Sequence, residues 1–204
     1  METKLKTLQK LLKNSKIPYI YLVNNRLYAT TGGDLGVYVV EDSVNKMWDI
    51  GTLEEVPMKK NLPNLDNVKP ILDICTENRE VNKKELVDTL KQVKEYIKNN
   101  KEHMRNKDIC SVEITKDSVL TFKILTKHEI KTFDVKLTHT HVLPREFRGD
   151  FYWNNIYKYV KLCKGKTINI RYNEGVGITP LIFKDNVICE YVTMPMRFGW
   201  EEGV

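Results

Sequence analysis

The chain has 204 residues, 41% of them hydrophobic and 29% charged, so it can bury a real core without disulfide or metal staples and is too polar for a membrane class. Its formal charge of +6 and pI near 9.0 favour a polyanionic partner without naming one. Cys75, Cys110, Cys163 and Cys189 form no CxxC pair, no apolar run reaches the ~18 residues of a membrane span, and the Lys-rich N-terminus lacks the apolar stretch of a signal peptide, so reduced, buried cysteines and a cytoplasmic location are expected.

Residues 3–14 place Leu5, Leu8 and Leu12 on one stripe, with Leu11 beside it, while Lys4, Lys6, Lys10 and Lys13 fall on other faces. This predicts a short amphipathic helix, ended by the Ile17-Pro18 step. Strands follow at Tyr19–Val23, Arg26–Thr30 and Leu35–Val40, separated by the turn dipeptide Asn24-Asn25 and by Thr31-Gly32-Gly33-Asp34. The paired glycines imply a tight turn with positive φ or a close backbone approach; no GKS or GKT follows and no helix begins here, which argues against a phosphate loop. Lys46–Ile50 reads as a strand, and the polar stretch with Pro57, Pro63 and Pro70 reads as a connector, placing a boundary near residues 60–75.

From Asn82 a second helix is predicted, with Asn82 as cap and Leu86, Leu90, Val93 and Ile97 as its apolar stripe. The period then changes to two, giving antiparallel strands over Ile109–Thr115, Val119–Leu125 and Ile130–Leu137. Thr138–Gly149 reads as a loop. A third helix follows within Phe151–Cys163, capped by Asn154, stopped by Gly165, and carrying Lys158, Lys161 and Lys164 outward. Thr167–Tyr172, Ile178–Phe183 and Val187–Thr193 complete the strands. Residues 80–197 thus contain the pattern βαβββ twice, and residues 1–70 resemble a shortened copy of it.

The last strand meets Met194-Pro195-Met196-Arg197. Proline has no N–H for a sheet ladder, so pairing is expected to end near Thr193 and leave Met194, Pro195 and Met196 on a surface. No catalytic constellation is present: there is no GxSxG or HExxH, and no paired carboxylates for a two-metal site. His139 and His141 alternate along an extended segment but have no adjacent third ligand, and His128-Glu129 reads as a turn.

Three stretches, in order, resemble the bacterial DNA polymerase III β subunit (sliding clamp) family: Ala29 to Val37 around Gly32, Leu62-Pro63-Asn64-Leu65-Asp66-Asn67-Val68, and Tyr191-Val192-Thr193-Met194-Pro195-Met196-Arg197-Phe198. The double βαβββ between them matches that family's third domain in order and length. The resemblance implies an α+β DNA-clamp fold, with basic helices on one face of antiparallel sheets, divided into a shortened unit (1–70) and a complete one (71–204).

It further implies that Lys6, Lys10, Lys13, Lys84, Lys91, Lys94, Lys98, Lys158 and Lys161 face double-stranded DNA without reading its sequence. A groove for a clamp-binding peptide is implied at Thr30, Gly32, Leu35, Pro63, Val68, Val192, Met194, Pro195, Met196 and Arg197. The implied role is that of a non-enzymatic polymerase processivity factor, without cofactor or metal, acting as a homo-oligomeric ring. The alternative is an adaptor or decoy that binds such peptides without encircling DNA. Three departures stand out. Gly33-Asp34 replaces the family's His-Arg and reverses the charge, Asn67 replaces the second Arg of its Arg-Arg-Val, and the chain continues past Phe198, which raises the expectation that Trp200 folds back over the groove.

Overall fold

The computed structural model describes residues 1–12, 17–31, 33–42, 44–59, 74–138, 144–176, 179–185 and 190–196. The strands are β1 (Tyr19–Val23), β2 (Arg26–Thr30), β3 (Asp34–Val39), β4 (Lys46–Asp49), β5 (Glu55–Val56), β6 (Glu77–Asn82), β7 (Ile109–Thr115), β8 (Val119–Leu125), β9 (Ile130–Lys136), β10 (Phe147–Tyr152), β11 (Thr167–Tyr172), β12 (Gly175–Val176), β13 (Leu181–Lys184) and β14 (Glu190–Thr193). They form a nine-stranded sheet, β5-β4-β1-β2-β3-β14-β13-β11-β6, and a five-stranded sheet, β12-β10-β7-β8-β9. All pairings are antiparallel except β10 with β12. The β1–β2 turn uses Asn24 and Asn25 at φ 50° and 61°, the left-handed conformation that asparagine tolerates and hairpins require.

The expected strand-helix-three-strand order occurs at β6-α2-β7-β8-β9 and, with the two-residue β12 inserted after β11, at β10-α3-β11-β13-β14, where α2 is Lys83–Asn99 and α3 is Trp153–Leu162. Each motif lends its first strand to the other's sheet: β6 pairs with β11, and β10 pairs with β7. This exchange interlocks the two motifs. Two further stitches hold the sheets together. Val81 bridges Leu137 while the Thr138 N–H donates to Glu80 O at 2.7 Å, and the Met196 N–H donates to Asp150 O at 2.7 Å. The first helix, α1 (Glu2–Leu12), packs against β1, β2 and β3.

Helix stripes form the core. Leu5, Leu8, Leu11 and Leu12 of α1, the predicted stripe of α2, and Ile156 and Val160 of α3 are all buried in one cluster with Ile20, Leu22 and Leu27 of the nine-stranded sheet. The Asn82 side chain caps α2, accepting from the backbone of Lys84 (2.9 Å) and Glu85 (3.2 Å). Asn82→Ala is expected to lower unfolding free energy by about 1 kcal/mol, seen as a shift of the urea midpoint at unchanged m-value.

Three expectations are corrected and a fourth is tested at one of its two residues. The segment expected to be a loop through Gly149 is in part strand β10, which begins at Phe147. Gly149 there serves packing, since a Cβ would come within 2.8 Å of the Phe151 ring. Asn154 does not cap α3. Tyr152 holds that position with no side-chain bond, and the entry is fixed instead by Trp153, whose indole N–H donates to Lys107 O at 2.8 Å. Helix α3 ends at Leu162, ahead of Gly165. Of the expected glycine turn before β3, Gly33 has no positive φ and a Cβ there would meet open space, while Gly32 lies outside the described residues. Thr31 shapes the turn, its hydroxyl accepting from the N–H groups of Gly33 (3.3 Å) and Asp34 (2.9 Å). The expected boundary near residues 60–75, His139, His141 and Trp200 lie wholly or largely outside the described residues.

Candidate peptide groove and basic helix face

Alternation along a strand sends successive side chains to opposite faces, and here both faces of the nine-stranded sheet are apolar. Ile20, Leu22, Leu27 and Ala29 point to the helices. Tyr21, Tyr28, Leu35, Met47, Ile182 and Val192 point the other way and form a second cluster with Cys75. This second cluster crosses the seam where β3 meets β14, with Leu35 opposite Val192 and Asp34 opposite Thr193.

Of the residues expected in the groove, the structure brings Thr30, Leu35 and Val192 together here, because Thr30 pairs with Leu35 and Leu35 with Val192 across three adjacent strands. Met194 follows directly, its N–H bonded to Gly33 O at 2.8 Å. Met194, Pro195 and Met196 are half-buried rather than freely exposed, because the Met194 and Met196 N–H groups tie the segment to Gly33 and Asp150. Gly32, Pro63, Val68 and Arg197 fall outside the described residues. Sequence reasoning missed the aromatic part of this face. Tyr21 stacks on Tyr28 at 5.2 Å, and Tyr19 meets Tyr21 edge-on at 6.3 Å. The signal was available in the Tyr-Ile-Tyr-Leu-Val alternation of β1, whose two tyrosines share the parity opposite to the core-facing Ile20 and Leu22.

Asp34, expected to bring negative charge to the groove, does not present it there. It is 4% exposed, and its carboxylate accepts from the Tyr191 hydroxyl (2.7 Å), Asn155 Nδ2 (2.7 Å) and, at longer range, the Thr31 hydroxyl (3.4 Å). Burial and the adjacent carboxylate push the Tyr191 phenol well above its ordinary pKa. Asn155 belongs to α3, so one carboxylate ties the helix layer to the seam.

On the helix side, α3 touches both α1 and α2. Lys94 of α2 and Lys161 of α3 converge on the Tyr157 ring, 5.9 and 5.3 Å from its centre. Lys83, Lys84, Lys91, Lys161 and Lys166 line a cleft of about 550 Å³ between the two helices. Of the lysines expected to face DNA, Lys10, Lys84, Lys94, Lys98 and Lys161 are exposed, Lys158 is half-buried, and Lys13 is outside the described residues. Two are engaged within their own helix: Lys6 with Glu2, and Lys91 with Asp88 at 2.8 Å. That contact raises the Lys91 pKa and lowers that of Asp88. Helix α3 carries no acidic residue. Among the described residues, no helix is long and apolar enough to cross a membrane.

No family model and no curated protein matches the sequence. Solved structures do. A DNA polymerase III β subunit from Thermotoga maritima superposes with a TM-score of 0.67 at 14% identity, over 96% of this chain and 64% of that one. One from Eubacterium rectale gives 0.69 at 13%, over 95% and 63%. A sliding clamp from Bartonella birtlesii, solved bound to griselimycin, gives 0.70 at 14%, over 96% and 65%. The chain therefore has the sliding-clamp fold and spans less than two thirds of the length of these proteins.

Proposed function

We propose that the chain is a clamp-like processivity factor. Its α2/α3 face lies against duplex DNA without reading sequence, and its seam face docks a short apolar peptide carried by a polymerase or repair protein. The observation that carries this reading is the two-sided sheet. Lysine-bearing helices cover one face, and a buried apolar, aromatic cluster crosses β2, β3 and β14 on the other, leading to the half-buried Met194. Methionine and tyrosine beside a hydrogen-bonded strand end suit a linear apolar peptide. Lysines on mobile side chains suit phosphates at varying positions. In this reading residues 1–70 are a shortened clamp unit, residues 71–204 a complete one, and several copies together surround the duplex.

The test measures binding of a random-sequence duplex across a salt series. Replacing Lys84, Lys94, Lys98 and Lys161 by Ala is expected to lower the slope of log K against log salt by about three to four. The same variant should leave binding of a Gln-Leu-type clamp-binding peptide unchanged. Met194→Ala with Met196→Ala should do the reverse. An unchanged salt slope would remove the DNA half of the reading, and unchanged peptide affinity would remove the groove.

A further inference from the structure

We propose that His103 and His128 form a two-histidine chelate for a borderline divalent cation of the Zn²⁺ class. The inference is independent of the DNA and peptide readings. The two imidazoles come from different elements. His103 ends the short 3₁₀ turn Lys101–His103 that follows α2, and His128 sits in the turn between β8 and β9. Their ring centres are 5.3 Å apart, with the planes tilted by 59°. A tetrahedral ion bound at ~2.0–2.1 Å by one nitrogen of each ring, with each ring centre roughly 1.1 Å beyond that nitrogen, places the two centres about 5.2 Å apart. A right-angled site would need only about 4.5 Å. The observed 5.3 Å between ring centres is compatible with the tetrahedral geometry.

The backbone holds the two turns in this relation. Lys127 N–H donates to His103 O at 2.8 Å, Met104 bridges Thr126, and His128 N–H donates to the Thr126 hydroxyl at 3.2 Å. The site is preorganised at the level of its main chain, and both rings are exposed, so an ion reaches them without opening the core. Two carboxylates are sequence neighbours of the pair, Glu102 beside His103 and Glu129 beside His128; Glu129 accepts from the Tyr96 hydroxyl at 2.8 Å, and neither is assigned a ligand role. Among the described residues no group of three or more His, Cys, Asp or Glu is placed to hold a metal, so two protein ligands leave two positions to water. Such a site has modest affinity, and occupying it pins the end of α2 to the start of β9.

The experiment titrates the intact chain with ZnSO₄ by calorimetry and records the visible spectrum of its Co²⁺ form. One ion per chain is expected, with the strong d–d absorption of a tetrahedral Co²⁺ centre. His103→Ala and His128→Ala should each weaken Zn²⁺ binding at least about tenfold. A variant with both His139→Ala and His141→Ala should retain it. The melting temperature of the parent should rise by about 4 °C at tenfold excess of Zn²⁺ over Kd, and that rise should vanish in either single variant. Absence of binding in the parent overturns the proposal. So does binding that survives both single variants, or binding that is lost with His139 and His141.

Discussion

Asp34→Ala is expected to lower unfolding free energy by about 3 kcal/mol, more than any single lysine on the surface. The carboxylate is the shared acceptor for Tyr191, Asn155 and Thr31. Removing it strands the Tyr191 hydroxyl in a fully buried position, and a buried donor left unsatisfied costs about 1–3 kcal/mol on its own. Tyr191→Phe removes only one of the donors and keeps the acceptor satisfied, so about 1 kcal/mol is expected there. The double variant should then be less destabilised than the sum of the singles, because both act on one bond. Urea unfolding followed by circular dichroism measures all three. An Asp34→Ala midpoint within error of the parent would show that the carboxylate does not hold the seam.

Stability is expected to collapse on the alkaline side, starting near pH 9. Burial pushes the Cys75 thiol up to about 11 and Cys163 to about 12, and pushes Cys110 further still. Burial also pushes the Tyr172 phenol up to about 12. In each case the folded chain holds a proton that the unfolded chain releases near pH 8.5 for cysteine and 10 for tyrosine. The stabilisation is therefore complete below those values and is lost as pH rises from about 9 towards the folded pKa values. Three cysteines titrating together remove on the order of 5 kcal/mol by pH 10.5. Urea midpoints measured from pH 8 to 10.5 should trace this limb. Cys110→Ala should flatten it, at the cost of a lower plateau at neutral pH from the lost packing. A flat midpoint across that range would mean that the thiols are open to solvent.

The helices were the legible part of the fold. Leu86, Leu90, Val93 and Ile97 announce a face at the period of 3.6, and Asn82 announces its start, because both signals are local. Strand β10 was not legible. Its Gly149 carries the mark of a loop, and only the Phe151 ring lying over it explains the missing side chain. The exchange of β6 and β10 between sheets leaves no trace in periodicity, since a strand alternates identically whichever neighbour it joins. In the groove, Leu35 and Val192 are linked through the family resemblance, while the tyrosines of β1 carry no signal in the sequence beyond the alternation of ordinary strand residues. The burial of Asp34 has no local signature either. Its partners Asn155 and Tyr191 are more than a hundred residues away in sequence, and no local rule brings them together.

Strand β14 sits in the interior of the nine-stranded sheet, between β3 and β13, yet it is synthesised after every strand it joins. During translation β3 waits with an unsatisfied edge for more than a hundred and fifty residues of chain to emerge. Closure of the sheet is therefore a late, long-range event, of the kind that slows folding and exposes intermediates to aggregation. The nascent chain should be most vulnerable, and most in need of a chaperone, in the interval just before Glu190–Thr193 leaves the ribosome.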